Sequence, residues 1–104
     1  MVKPMSAKKT PPGGGELTKE LMILNKQGIH MRPAALFVKT ATRFACDVFV
    51  EKDGEKVNGK SIMGLVMLAA GPGSKLTVST HGTDALAAMT ELESLVSKRK
   101  FDEE

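Results

Sequence analysis

The 104-residue chain has no tryptophan, no tyrosine, only four phenylalanines and a single cysteine. Aliphatic side chains and seven methionines must therefore fill any core. One cysteine excludes an internal disulfide and a four-cysteine metal site. Two histidines at unrelated positions, His30 and His81, add no metal-ligating spacing, so neither metal nor cofactor is expected. No apolar run approaches the roughly 20 residues that cross a bilayer. The N-terminus also lacks the apolar stretch of a signal peptide. The expectation is a soluble, cytoplasmic protein. Acids are missing from the first fifteen residues, which hold Lys3, Lys8 and Lys9. Twelve bases face twelve acids in the remainder, so the net charge of +3 belongs to the extension. It predicts no nucleic-acid surface.

The length suits one small domain. Residues 1–15 form an extension rich in proline, glycine and lysine, ending Pro11-Pro12-Gly13-Gly14-Gly15, without apolar periodicity. A domain over 16–101 follows, then an acidic tail over 102–104. Within the domain, Glu16 to Asn25 reads as a strand centred on Leu21, Met22, Ile23 and Leu24. Helical spacing of Ala34, Phe37, Val38, Ala41, Phe44 and Ala45 predicts a helix from Met31 to about Arg43. Alternation from Cys46 to Glu51 predicts a second strand. Asp53-Gly54 signals a hairpin into a short strand at Lys56-Val57-Asn58. Ser61 caps a short helix to about Leu68. Lys75 to Thr80 reads as a fourth strand, with Leu76 and Val78 inward. Asp84 begins a last helix whose apolar face is Ala85, Ala88, Met89, Leu92, Leu95 and Val96. The order βαββαβα predicts an α+β open-faced two-layer sandwich, a four-stranded sheet with helices on one face.

One stretch organises the rest: Gln27-Gly28-Ile29-His30-Met31-Arg32-Pro33-Ala34-Ala35. Gly28 supplies a permissive backbone before the helix. Pro33 falls within the first helical turn, where a missing N–H costs least. His30 therefore stands at a helix N-terminus beside Arg32. Backbone N–H groups and the helix dipole there suit a phosphate. A neutral imidazole offers a lone pair and can act as a nucleophile. The Arg32 guanidinium matches phosphate oxygens. On these residues alone, a solvated or helix-capping histidine is the favoured account of His30, because a single histidine before a helix is weak evidence.

Other motifs have ordinary explanations beside the sharp ones. Gly54-Glu55-Lys56-Val57-Asn58-Gly59-Lys60-Ser61 fits a nucleotide phosphate loop letter for letter. The hairpin accounts for the same letters, and no later strand ends in an aspartate for the metal. Ser61 serves as an N-cap, a regulatory phosphorylation site, or both. Ile62, Met63, Leu65, Val66, Met67 and Leu68 are too apolar for a short helix with one buried face. Leu65 and Leu68 are expected in the core and part of the remainder at the surface. Cys46 reads as a small residue at a strand start, His81 as a solvated turn residue.

Two segments together resemble one family. Gly28-Ile29-His30-Met31-Arg32-Pro33-Ala34-Ala35 resembles the active-centre signature of HPr, the histidine-containing phosphocarrier of the phosphoenolpyruvate-dependent sugar phosphotransferase system. Asn58-Gly59-Lys60-Ser61-Ile62-Met63-Gly64-Leu65 resembles that family's regulatory-serine segment. The likeness runs from about Leu17 to Val96. It implies an antiparallel four-stranded sheet under three helices, and a carrier rather than an enzyme. By this resemblance His30 takes a phosphoryl group on Nδ1 from the phosphohistidine of Enzyme I and passes it to an Enzyme IIA domain. Arg32 helps hold the phosphate, with Met31 at the same helix start. Ser61 matches the serine modified by HPr kinase/phosphorylase, and a transcriptional regulator is a further implied partner. The implied docking surface comprises Met31, Ala35, Leu36, Lys39, Ile62, Met63 and Met67, on a monomer. A nitrogen-type regulatory carrier and a Ser61-dependent signalling module are the alternatives. The histidine is present, so this is not the family branch that has lost it. The extension before Glu16, Thr42 and Gly71-Pro72-Gly73 depart from the family pattern.

Overall fold

The computed structural model describes residues 16–102; the extension over 1–15 and the end of the acidic tail, Glu103 and Glu104, lie outside them. Four strands form one antiparallel sheet: β1 (Glu16–Met22), β2 (Asp47–Lys52), β3 (Glu55–Asn58) and β4 (Lys75–His81). Three helices, α1 (Met31–Ala41), α2 (Ile62–Met67) and α3 (Ala85–Glu93), complete the βαββαβα order. Across the sheet the strands run β1-β4-β2-β3. The last strand in sequence therefore lies between the first two. Glu16 stands opposite His81 and Met22 opposite Lys75, while Asp47 stands opposite His81 on the other side.

The pleat explains the layers. Leu21, Val48, Val50, Leu76 and Val78 share the inner face and are buried. Thr18, Glu20, Asp47, Phe49 and Lys75 alternate outward. Against the inner face pack Ala34, Phe37 and Ala41 of α1, Leu65 of α2, and Ala85, Ala88, Met89 and Leu92 of α3. Leu95 and Val96 continue that face through a wider, π-type turn at Ser94–Lys98. Leu65 and Leu68 are buried while Met63 and Met67 are exposed. The hairpin turns at Asp53 and Gly54, whose φ values are 52° and 85°.

Several boundaries differ from the sequence reading. β1 stops at Met22, because the peptide of Ile23 pairs with a loop: its N–H donates to the Ser74 carbonyl and its carbonyl accepts from Gly73. α1 ends at Ala41, and Phe44 and Ala45 follow it outside the helix, Ala45 exposed. His81 is the last residue of β4 rather than part of a turn. Phe101 is fully buried. It lies in a left-handed turn, with φ of 48°, 58° and 57° at Lys100, Phe101 and Asp102. Arg99 closes that turn by donating to both carboxylate oxygens of Asp102, at 3.0 and 2.7 Å.

Candidate functional site

His30 is the N-cap of α1, with extended backbone at φ −122° and ψ −158°. Its carbonyl accepts the Ala34 N–H at 2.9 Å, the first bond of the helix. Its side chain is exposed and makes no capping hydrogen bond. The capping use of His30 is thus not taken up, and the imidazole faces solvent. Helix geometry leaves the Met31 and Arg32 N–H groups without intrahelical acceptors, and Pro33 has no N–H to satisfy. The start of α1 therefore presents donors and the positive end of the helix dipole beside the imidazole.

Arg32 is exposed, and its Nη2 donates to the Phe101 carbonyl at 3.2 Å. The guanidinium is thereby tied to the end of the chain, 69 residues away. It lies two residues after His30 in the first turn of α1, with four further N–H donors on the same planar group. Asp102 stands near enough for Arg32 to help hold its carboxyl below the ordinary range; the hydrogen bonds from Arg99 are the larger cause.

The approach to His30 is braced from beneath. Gly28 has φ of 71°, and a Cβ there would lie 2.4 Å from the Ala70 carbonyl oxygen. The residue must be glycine for both reasons. Next along, the Ile29 N–H donates to that same oxygen at 2.8 Å. The Asn25 side chain, almost fully buried, donates from Nδ2 to the Gly28 carbonyl at 2.8 Å. Asn25, Ala70 and Phe101 were not singled out by the sequence. Asn25 and Gly28 bracket a four-residue turn, a signal that was available. Phe101 sits in a charged run and gave no periodic signal.

Ser61 caps α2, its Oγ accepting the Gly64 N–H at 3.0 Å. The adjacent Lys60 donates from Nζ to the Phe44 carbonyl at 2.8 Å, just past the end of α1. α1 and α2 pack against each other. Met31 (58% exposed), Met63 (60%) and Met67 (76%) lie on these two helices, with Ala35 and Lys39 exposed and Leu36 and Ile62 half-buried. The geometry thus puts every residue of the expected docking surface on one pair of neighbouring helices. Away from it, Asp84 accepts backbone N–H bonds from Ala45 and Cys46 at 2.8 and 2.9 Å. These bonds hold its carboxyl below the usual range. Burial, followed by the Asp84 carboxylate, pushes the Cys46 thiol up. Among the described residues no group of three or more His, Cys, Asp or Glu could hold a metal ion. No helix among them is long and apolar enough to cross a membrane.

Residues 17–98 match the family described as the PTS HPr component phosphorylation site. The chain belongs to the HPr family. It is 50% identical over 80 residues to the HPr-like protein Crh of Halalkalibacterium halodurans, covering 77% of this chain and 95% of that one. A crystal structure of a phosphocarrier protein HPr from Bacillus anthracis matches with a TM-score of 0.76 and 48% identity, covering 79% of this chain and 98% of that chain. An HPr dimer from Thermoanaerobacter tengcongensis matches with a TM-score of 0.65 and 44% identity, covering 77% and 92% respectively. HPr proteins are phosphocarriers of the phosphotransferase system rather than enzymes, and this chain is of that type, with the open-faced sandwich of its HPr neighbours. Enzyme I and Enzyme IIA are the partners such a protein implies.

Proposed function

We propose that His30 is the phosphoryl-carrying residue, receiving the group from Enzyme I and giving it to an Enzyme IIA domain of a sugar phosphotransferase system. The observation that carries this is an exposed imidazole, free of any capping bond, at the start of α1 and two residues before Arg32. The lone pair of its unprotonated Nδ1 attacks phosphorus. The P–N bond to the donor histidine breaks, and its electron pair returns to the donor nitrogen. One phosphoramidate replaces another, so the group moves on with little net change in free energy. In-line placement of the two nitrogens is the main requirement, and docking supplies it. The Met31 and Arg32 N–H groups and the Arg32 guanidinium then face the phosphoryl oxygens. To contribute fully, the guanidinium leaves the Phe101 carbonyl.

Docking uses Met31, Ala35, Leu36, Lys39, Ile62, Met63 and Met67, an apolar surface with adaptable methionines. Ser61 borders that surface. Phosphate placed there by an HPr kinase/phosphorylase adds negative charge where Enzyme I binds and favours a transcriptional regulator as partner. The working unit is a cytoplasmic monomer built on 16–101, with 1–15 dispensable for transfer and the acidic residues 102–104 as its tail.

Incubation with Enzyme I and phosphoenolpyruvate is expected to leave an acid-labile, alkali-stable phosphate on His30 and none on a His30→Ala variant. Labelling of that variant would remove the proposal. Ser61→Asp is expected to slow uptake from Enzyme I; unchanged kinetics refute the regulatory part. A sugar-specific Enzyme IIA accepting the group separates sugar transport from a nitrogen-type carrier. Sedimentation at micromolar concentration should give the mass of one chain.

A further inference from the structure

The loop from Asn25 to Ile29 holds a polar side chain that the fold alone does not require. Asn25 occupies an inward position in the alternation that buries Leu21 and Ile23, and only 1% of it is exposed. Its Nδ2 donates to the Gly28 carbonyl at 2.8 Å. Its Oδ1 is buried and has no hydrogen-bond partner. A buried acceptor left unpaired costs more than one neutral hydrogen bond returns, so the carboxamide is a net burden on stability. Exchanging the oxygen and nitrogen would not help, because Oδ1 would then face another acceptor, the Gly28 carbonyl.

What the carboxamide does is fix a peptide group two residues before His30. Two peptide groups flanking His30 are tied: the one between Gly28 and Ile29 at both its ends, and the one between His30 and Met31 at its carbonyl. The Gly28 carbonyl takes the Asn25 Nδ2–H, the Ile29 N–H reaches the Ala70 carbonyl, and the His30 carbonyl takes the Ala34 N–H. The backbone turn itself is held weakly, its Gly28 N–H to Asn25 carbonyl distance being 3.4 Å. The imidazole makes no capping bond of its own, so the peptide groups beneath it set where it points.

We infer that Asn25 is a positioning residue for phosphoryl transfer at His30, its buried carboxamide aiming the histidine from below without touching the reacting atoms. This rests on the His30 carrier reading. Transfer requires the nitrogen in line with the P–N bond being broken, and misplacement by about 1 Å costs up to roughly 10²-fold in rate. Asn25 lies off α1 and α2, so it affects the transfer step and leaves docking alone.

The test uses the full chain with Enzyme I and phosphoenolpyruvate, varying the carrier concentration. Asn25→Ala removes the donor and the orphaned acceptor together. Asn25→Leu does the same and keeps the branched four-heavy-atom skeleton; in both variants an unpaired Gly28 carbonyl replaces the orphaned Oδ1, so the two changes offset each other. Both are expected to melt within about 4 °C of wild type. Both should lower the maximal transfer rate about tenfold, with the half-saturating concentration within about twofold. A wild-type maximal rate in a folded variant overturns the role of Asn25 while leaving His30 as the carrier. So does a loss found wholly in the half-saturating concentration. If the wild-type chain takes up no phosphate on His30, the carrier reading fails and Asn25 has no transfer to position.

Discussion

Replacing Gly28 by alanine tests the brace beneath the histidine. At φ of 71° an alanine sits in the left-handed region, which costs a residue with a Cβ about 1–2 kcal/mol. The new Cβ would meet the Ala70 carbonyl oxygen at 2.4 Å and the Gly71 Cα at 2.8 Å, both backbone atoms that no rotamer change can clear. The two loops must part, and the 2.8 Å bond from the Ile29 N–H to Ala70 is lost, about 1 kcal/mol net. The total is about 3 kcal/mol, a large share of the roughly 5–15 kcal/mol that holds a domain together. At roughly 4–8 °C per kcal/mol for a domain of this size, the melting temperature falls by about 12–24 °C. Gly54→Ala is the matched control. Its φ is 85°, but nothing lies within 4 Å of the added Cβ, so only the conformational cost applies. Urea titrations of both variants, followed by far-ultraviolet circular dichroism, separate the two contributions. Equal losses for Gly28→Ala and Gly54→Ala would refute the close approach of the loops as the reason for glycine at 28.

Phe101→Ala empties a fully buried site and should cost about 3–5 kcal/mol by denaturant titration; a loss below about 1 kcal/mol would show the turn at 100–102 to be peripheral to the fold. Ser61→Ala removes the cap on α2 and should cost about 1 kcal/mol, read as a shift in the urea midpoint. Asp84 gives a pH dependence. Its folded carboxyl is held low by the Ala45 N–H, so the unfolded chain protonates first as pH falls. Its contribution is complete above the ordinary carboxylate pKa near 4 and fades as pH drops through the lower folded value. Melts between about pH 5 and pH 2 should show a shallower loss for Asp84→Asn than for wild type. Parallel curves would sink the assignment.

Much of this architecture is written in local patterns. The inward pair Leu76 and Val78 and the face from Ala85 to Val96 are periodic signals that the burial reproduces. The errors arise where a residue's partner is distant. Leu21, Ile23 and Asn25 keep the two-residue alternation of a strand, but the peptide of Ile23 finds a loop beside it instead of a ladder. Periodicity reports burial and is blind to which backbone answers. His30 was legible as a helix cap beside an arginine because glycine, proline and an apolar stripe frame it locally. The tie from Arg32 to Phe101 spans 69 residues and left no local trace. The orphaned oxygen of Asn25 was equally invisible, since an asparagine in a turn is ordinary until its burial is known.

The strand order bears on how the chain is made. Among the described residues β1 has a single neighbour in the sheet, and that neighbour is β4, the last of these strands to be synthesised. About 60 residues separate the end of β1 from the end of β4. At roughly 5–20 residues per second, a nascent chain waits about 3–12 seconds with Leu17 and Leu21 unmatched. The β2–β3 hairpin can close meanwhile, but the first strand cannot. Translation speed between Ile23 and His81 therefore sets how long this carrier's leading edge is open to chaperones or to another copy of itself.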